Sequence, residues 1–231
     1  MTYWLPPDTL DFPCPDHAPA KAPLAAGGDL SPARLLRAYA AGIFPWYDEH
    51  SPILWWSPDP RMAMRPQDLC INRSLAKARR KNRFDVSFDT AFLAVMRACA
   101  APRPGQTGTW IVPDMIAAYA RLFQSGHAHS VEIWQDDILV GGLYGVALGA
   151  AFFGESMFST VSYASKIAFV ELALALDRWG YLLIDCQVPS AHMATLGARV
   201  MPRAEFLSQL REAVARSMAV GRWPQAAEDR P

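Results

Sequence analysis

Apolar residues recur at helical spacing in several segments of the chain. Helices are predicted over residues 73–82, 90–99, 113–126, 164–179 and 203–217. The segment 164–179 gives the clearest pattern, because Ile167, Val170 and Leu174 recur at intervals of three or four and Gly180 follows. Such a stripe of apolar positions indicates helices that each bury one face.

Between these helices the pattern changes to that of strands. Strands are predicted over residues 84–88, 131–135, 138–146, 150–153 and 181–188. Asp136 and Asp137 separate two of these strands and form a two-residue hairpin signal. A hairpin meander followed by a helix and a buried strand predicts an α+β fold of acyltransferase type with a mixed, mostly antiparallel sheet.

The N-terminal part has a different composition. Residues 6–23 contain six prolines, which exclude a regular helix and predict an extended arm. A helix follows, capped by Asp29 or Ser31, with Pro32 in its first turn and Gly42 at its end. A region dense in aromatic residues and prolines then ends near residue 60. We therefore predict a small N-terminal domain with a proline-rich arm over residues 1–60 and a larger domain over residues 61–231.

The charge balance, the cysteines and the lengths of the apolar stretches exclude some classes of protein. The 22 basic residues balance the 22 acidic ones, so a nucleic-acid site must be a local patch. The four cysteines form no CxxC pair, and His127 and His129 lack a third ligand nearby, so we expect no metal. No apolar stretch reaches the roughly 18 residues of a membrane span. We expect a cytoplasmic protein with reduced thiols and no membrane partner.

The predicted strand 181–188 carries two polar residues among apolar ones. Because successive side chains of a strand point to opposite faces, Asp185 and Gln187 lie on the same face. Burial of two polar side chains there costs free energy unless they form hydrogen bonds or belong to a functional site. They form either a hydrogen-bonded pair that fixes a loop or part of a site. Glu155 is likewise an isolated carboxylate in an apolar stretch, explained either by a function or by a salt bridge to an arginine at the core's edge.

A basic run lies within the helix predicted over residues 73–82 and just beyond it. Its members are Arg73, Lys77, Arg79, Arg80, Lys81 and Arg83, with no acidic residue between them. Such runs are usually solvated helix faces. The alternative is that the basic run contacts a nucleic acid. Stacking of bases on tryptophan side chains would favour this alternative, and the candidates are Trp46, Trp55, Trp56 and Trp110. A tryptophan is, however, more often a core residue.

The segment before the helix at 164 lacks the glycines of a pyrophosphate-binding loop. This argues against coenzyme A, and we expect no cofactor.

Several motifs together resemble one family. They include Gly27-Gly-Asp-Leu-Ser-Pro, Gly-Ile-Phe-Pro-Trp46, Leu54-Trp-Trp-Ser-Pro-Asp-Pro-Arg61, Gly154-Glu-Ser-Met-Phe-Ser159 and Leu183-Ile-Asp-Cys-Gln-Val188. Over about residues 25–203 the chain resembles the bacterial leucyl/phenylalanyl-tRNA–protein transferases. The resemblance implies a small N-terminal domain joined to a larger GNAT-type domain. It also implies transfer of Leu, Phe or sometimes Met from aminoacyl-tRNA to an N-terminal Arg or Lys of proteins, which marks them for degradation.

The resemblance also implies roles for individual residues. It assigns the catalytic pair to Asp185 and Gln187, the terminal-adenosine platform to Trp46 and Trp110, the acidic residue of the reaction pocket to Glu155, and the side-chain pocket to Met157, Phe152, Phe169 and Ile184. The basic run is then expected to contact the tRNA backbone. Leu143 stands where we expect Met, and Leu172 and Leu176 replace aromatic residues, so we expect an apolar pocket.

The chemistry of the substrate suggests a mechanism. An aminoacyl ester is already activated, so the enzyme mainly aligns an amine with the carbonyl. We expect Gln187 to accept a hydrogen bond from the amine, Asp185 to orient Gln187 or receive the proton through it, and the tRNA ribose hydroxyls to supply the leaving proton. The alternatives are a non-catalytic tRNA-binding adaptor and an amino-group acetyltransferase.

Overall fold

The computed structural model describes residues 2–81, 84–102 and 109–224. Its strands are β1 (Tyr3–Leu5), β2 (Ala25–Gly27), β3 (Phe44–Pro45), β4 (Leu54–Trp56), β5 (Arg61–Met64), β6 (Asp85–Phe88), β7 (Ala128–Gln135), β8 (Ile138–Leu148), β9 (Ala151–Ser159), β10 (Leu183–Gln187) and β11 (Arg199–Met201). Its helices are α1 (Pro32–Ala40), α2 (Arg73–Lys81), α3 (Phe92–Ala100), α4 (Pro113–Gln124), α5 (Ala164–Arg178), α6 (Ala191–Ala194) and α7 (Arg203–Ala215). Of the helices that the structure describes, none has the length and hydropathy needed to cross a bilayer.

The strands form two sheets. The smaller sheet has the order β1-β2-β4-β3, and the larger has the order β11-β5-β10-β9-β8-β7-β6. Within the larger sheet β9 and β10 pair in parallel, and the other neighbours are antiparallel. The predicted hairpin turns at Asp136 and Asp137, whose φ angles are +51° and +60°. The predicted α+β class with a mixed, mostly antiparallel sheet is confirmed.

Helix α1 lies in the N-terminal part of the chain, and its C-terminal end approaches α7. Ser31 caps it, since its Oγ accepts the backbone N–H of Arg34 at 3.3 Å. Gly42 follows the helix with a φ of +72°, and a Cβ there would lie 2.6 Å from Cδ2 of Leu207 in α7. The left-handed backbone therefore favours glycine at this position, and a larger residue would also displace the Leu207 side chain.

The larger sheet is covered on both faces. Apolar residues of α1, α3, α4 and α7 form one cluster, which also includes Leu5 and Trp55 of the smaller sheet. Residues of α5 dominate the second cluster, together with Leu75 of α2 and Trp223 near the C-terminal end of the described residues. The chain passes from the smaller to the larger sheet between Trp56 and Arg61, and the two parts share one apolar core.

The larger sheet opens between β9 and β10. Their pairing covers Leu183–Asp185 against Ala151–Phe153. Beyond this point β9 continues from Gly154 to Ser159 alongside β8. The resulting gap between two neighbouring strands makes room for a cavity inside the sheet.

Candidate active site

A cavity of about 810 Å³ occupies the gap between β9 and β10. A smaller cavity of about 140 Å³ adjoins it, and Trp110, Glu155 and Gln187 line both. Together the two cavities bring together the residues that the resemblance assigns to catalysis, adenosine binding and the side-chain pocket. These are Trp46, Trp110, Phe152, Glu155, Met157, Phe169, Ile184, Asp185 and Gln187.

Two β-bulges aim polar side chains at this gap. In β9, Gly154 pairs with Gly145 and Ser156 with Tyr144, so Glu155 is the extra residue. In β10 the pairing with β5 shifts between Asp185 and Gln187, which makes Cys186 the extra residue and gives Gln187 a φ of +63°. Bulges redirect side chains beside active sites. Simple strand alternation therefore does not describe how Glu155 and Gln187 meet.

Asp185 is bound on all sides. Arg61 donates from Nε to Oδ1 at 2.9 Å and from Nη2 to Oδ2 at 2.6 Å. The backbone N–H of Gln187 donates to Oδ1 at 2.8 Å. Asp185 thus fixes the backbone of Gln187, which agrees with the expectation that it orients this residue.

Arg61 in turn is held by groups from the N-terminal part and from α7. Its Nη1 donates to the carbonyl oxygen of Gly42 at 3.1 Å. Its guanidinium lies over the rings of Phe44 and Phe206, at 4.8 and 4.4 Å from their centroids. The guanidinium is therefore satisfied by a carboxylate, a carbonyl and two aromatic faces.

Glu155 lies at the centre of a buried network of hydroxyl and amide donors. The Tyr39 hydroxyl donates to Oε1 at 2.8 Å, the Tyr119 hydroxyl donates to Oε2 at 3.0 Å, and Gln187 Nε2 donates to Oε1 at 2.9 Å. The two tyrosine hydroxyl oxygens are also in contact with each other, so their two protons are shared among three contacts. The alternative of a salt bridge to an arginine is therefore wrong.

The surroundings of Glu155 raise the pKa of its carboxyl group. Burial raises the pKa of this carboxyl to about 7, although the hydrogen bonds from Tyr39, Tyr119 and Gln187 oppose the shift. The nearby charge of Asp185 raises the pKa further. A carboxyl with a pKa near neutrality can take up or release a proton under physiological conditions.

The four candidate tryptophans have different roles. Trp46 is 42% exposed and lines the smaller cavity together with Trp110. Trp56 supports Trp46, because its indole N–H donates to the Trp46 carbonyl oxygen at 2.7 Å. Trp55 is buried and donates to the carbonyl oxygen of Gly27. Two tryptophans thus face the cavities, and two support the fold.

The basic run lies on α2, which does not contribute to either cavity. Arg73, Lys77, Arg80 and Lys81 are exposed, whereas Arg79 Nε donates to Oε1 of Glu171 in α5 at 2.6 Å. Arg83 lies outside the described residues. The exposed cations form one face, from which Arg79 is partly withdrawn by its ion pair.

Sequence reasoning missed four polar residues at the site. Arg61, Tyr39 and Tyr119 were not considered as site residues. His192 lines the larger cavity, and its Nε2 is buried without a hydrogen-bond partner among the described residues. One signal was available in the sequence, since Arg61 opens the otherwise apolar strand Arg61–Met64.

Comparisons with known proteins identify the family of the chain. Residues 28–59 match the model of the leucyl/phenylalanyl-tRNA protein transferase N-terminal domain, and residues 63–211 match the leucyl/phenylalanyl-tRNA protein transferase model. The leucyl/phenylalanyl-tRNA–protein transferase of Anaeromyxobacter sp. is 56% identical over 100% of this chain and 99% of its own length. That of Nitrosospira multiformis is 58% identical over 93% of each chain.

Two solved structures show a weaker likeness. L-PGS from Bacillus licheniformis gives a TM-score of 0.40 at 10% identity, covering 74% of this chain and 54% of that one. A GCN5-related N-acetyltransferase from Kribbella flavida gives a TM-score of 0.36 at 12% identity, covering 74% and 61%. Scores this low support no conclusion about function.

The family matches and the site define an enzyme of the aminoacyltransferase class. More particularly, the chain belongs to the leucyl/phenylalanyl-tRNA protein transferase family. The family resemblance stated from the sequence is thus confirmed, and membership leaves no support for a non-catalytic adaptor or an acetyltransferase.

Proposed function

We propose that this enzyme transfers leucine or phenylalanine, and less often methionine, from aminoacyl-tRNA to the N-terminal Arg or Lys of a protein. The product is a peptide bond and a new N-terminus that marks the protein for degradation. One observation carries the proposal: a small cavity beside two tryptophans adjoins a larger cavity with apolar lining residues, and the Glu155–Gln187 pair lines both. This arrangement suits a substrate that combines a nucleoside, an ester and an apolar side chain.

The two cavities bind different parts of the aminoacyl-adenosine end of the tRNA. The adenine stacks beside Trp46 and Trp110, because every base presents a flat aromatic face to such side chains. The leucine or phenylalanine side chain enters the larger cavity, where Phe152, Phe169 and Ile184 are buried apolar lining residues. Leu143 and Leu172 also line this cavity, which supports the expected apolar pocket.

Gln187 aims the acceptor amine at the ester carbonyl. Its Nε2 is engaged with Glu155, which fixes the orientation of the amide group. Its Oε1 is then the end that accepts a hydrogen bond from the incoming amine. Asp185 and Arg61 hold the backbone from which this side chain projects. Such positioning supplies much of what an already activated ester needs.

The body of the tRNA lies along the exposed face of α2. Arg73, Lys77, Arg80 and Lys81 present cations there, and phosphate contacts of this kind provide affinity without base recognition. The face lies outside both cavities, so it acts on the tRNA backbone and not on the reacting ester.

A transfer assay tests the proposal. Purified protein is incubated with radiolabelled Phe-tRNA and a peptide that begins with Arg, beside matched peptides that begin with Ala or with N-acetylated Arg. We expect label on the peptide with the free Arg terminus and none on the acetylated one. Equal labelling of the Ala peptide would contradict the proposed acceptor, and no labelling of any peptide would contradict the proposed reaction.

A further inference from the structure

We infer that Glu155 takes the proton from the acceptor's α-ammonium group, so that the free amine can attack the ester. This inference rests on the proposed function, because it concerns the same transfer reaction. It differs from the route through Asp185, since it assigns the proton to another carboxylate on the other strand beside the gap.

The reaction needs a proton acceptor. An N-terminal amine has a pKa of about 8 and is mostly protonated at pH 7, and an ammonium group has no free electron pair for attack. A glutamine amide is too weak a base to hold the proton, so Gln187 can only position the group. The proton must therefore pass to a neighbouring base or to water.

Two carboxylates line the larger cavity within the described residues, and only one of them is available. Both oxygens of Asp185 are bound by the Arg61 guanidinium, and both side chains are completely buried. Protonation of Asp185 would leave the Arg61 charge uncompensated in the core. Glu155 is bound by hydroxyl and amide groups and has no cationic partner among the described residues.

The geometry places Glu155 next to the group that positions the amine. Gln187 Nε2 lies 2.9 Å from Glu155 Oε1, and both side chains line both cavities. An ammonium group that donates to Gln187 Oε1 therefore lies within reach of the carboxylate, directly or through one water.

The groups that face Glu155 come from four elements. They are Tyr39 of α1, Tyr119 of α4, Tyr144 of β8, and Asp185 with Gln187 of β10, and the charge of Arg61 lies behind Asp185. Burial raises the pKa of all three tyrosines, so these hydroxyls stay protonated donors near neutral pH. With its own pKa raised to about 7, Glu155 is balanced between its charged and neutral forms.

The proton balance is complete without a cofactor. The ammonium group transfers one proton to the Glu155 carboxylate, and the resulting amine attacks the carbonyl carbon to form the new C–N bond. The bond between the carbonyl carbon and the ribose oxygen then breaks. The ribose oxygen receives the second amine proton through the neighbouring hydroxyl, and Glu155 releases its proton to solvent.

The two tyrosines act as positioning residues for Glu155. Tyr39 lies in the N-terminal part of the chain, and Tyr119 lies in the larger part, yet their hydroxyls contact the same carboxylate. Each donates a hydrogen bond that stabilises the charged form of Glu155. Helix α1 therefore contributes to the proton step through Tyr39.

The decisive experiment compares two acceptors in single-turnover transfer by the full chain with Phe-tRNA. One acceptor is a peptide with an N-terminal Arg, and the other is the same peptide with an aminooxy group in place of the α-amine, which is unprotonated at pH 7. We expect Glu155→Gln to slow transfer to the Arg peptide by about 10²-fold, the usual scale for loss of a general base. Transfer to the aminooxy peptide should fall by less than about fivefold.

Different failures of this experiment have different meanings. If Glu155→Gln slows both acceptors equally, Glu155 is not the proton acceptor. If the wild-type protein transfers to neither acceptor, the proposed function itself fails. Glu132→Gln is the matched control, because Glu132 is also buried but lies outside both cavities. It should leave the ratio of the two rates unchanged.

A pH profile separates positioning by the tyrosines from a merely structural role. Tyr39→Phe removes a donor to the carboxylate, so the pKa of Glu155 should rise and the acidic limb of the rate profile should move to higher pH. Tyr144→Phe is the control, since the Tyr144 hydroxyl is buried without a hydrogen-bond partner among the described residues. An unmoved limb in Tyr39→Phe, or the same movement in both variants, would overturn the role of Tyr39.

Discussion

Arg61 and Asp185 form a two-point ion pair in which neither side chain is exposed to solvent. The pair joins β5, which begins at Arg61, to β10, which also carries Gln187. Breaking such a pair is costly because one buried charge stays behind, whereas removing both partners can be nearly neutral. The pair therefore supports the position of Gln187, whose backbone N–H also donates to Asp185.

The first prediction concerns this pair. Asp185→Asn and Arg61→Met should each lower the free energy of unfolding by about 3–5 kcal/mol, because each leaves an uncompensated charge or donor in the core. The double variant Arg61→Met/Asp185→Asn should cost less than the sum of the two single changes, because neither buried charge then remains. Denaturant unfolding of the four proteins measures this. Strict additivity would show that the pair is not coupled.

The second prediction concerns the pH dependence of stability. The pKa of Glu155 is about 7 in the folded protein and 4.5 as the ordinary value, so the folded state binds the extra proton between these pH values. The contribution of Glu155 to the free energy of unfolding is therefore fully present below pH 4.5 and is lost as the pH rises through 7. The free energy of unfolding of the wild type should fall relative to Glu155→Gln by on the order of 3 kcal/mol over this range.

Denaturant unfolding of both proteins at pH 4.5, 6 and 8 measures the difference. Because both proteins share all other titrating groups, the remaining pH dependence cancels in the comparison. A constant difference across the range would mean that the folded structure does not perturb this carboxyl.

The third prediction concerns the side-chain cavity. Val and Ile branch at Cβ, next to the reacting carbonyl, whereas Leu and Phe place their bulk further into the cavity beside Phe169 and Ile184. Transfer of Leu and Phe should exceed that of Val and Ile by at least about tenfold, or about 1.4 kcal/mol. Single-turnover rates with one tRNA body charged with each amino acid measure this. Equal rates for Leu and Val would contradict the assignment of this cavity as the side-chain pocket.

The fourth prediction concerns the basic face of α2. Substitution of Lys77, Arg80 and Lys81 by Gln should weaken aminoacyl-tRNA binding and flatten its dependence on salt, since fewer counterions are released. Binding of a minimal aminoacyl-adenosine should change little. Arg79→Gln is the control and should have a smaller effect, because Arg79 is paired with Glu171. If the minimal analogue loses as much affinity as the tRNA, the face supports the fold instead.

The predicted elements depended on local signals, and these were sufficient for most of the fold. Ser31 with Pro32 marks the start of α1, and the pair Asp136-Asp137 marks the hairpin. Short pieces such as β1 and α6 were missed, because three or four residues carry no detectable period. The extended arm was predicted over residues 6–23, whereas the strand that pairs in parallel with β2 is Tyr3–Leu5, just before it. This pairing is a tertiary contact that the local sequence does not encode.

The partners within the site could not be predicted in the same way. Asp185 and Glu155 stood out as polar residues in apolar segments, but their partners are remote in the sequence. Arg61 lies 124 positions from Asp185, and Tyr39 lies 116 positions from Glu155. The bulges at Glu155 and Cys186 also interrupt the strand period on which the assignment of faces relied.

The central claim is that Gln187 positions the acceptor amine in the cavity between β9 and β10. Single-turnover transfer from Phe-tRNA to an Arg-starting peptide, measured for the wild type and Gln187→Ala, tests it most directly. We predict that the rate falls by about 10²-fold while the affinity for a non-reactive aminoacyl-adenosine and the melting temperature stay close to those of the wild type. A folded Gln187→Ala protein that transfers at nearly the wild-type rate would contradict the claim.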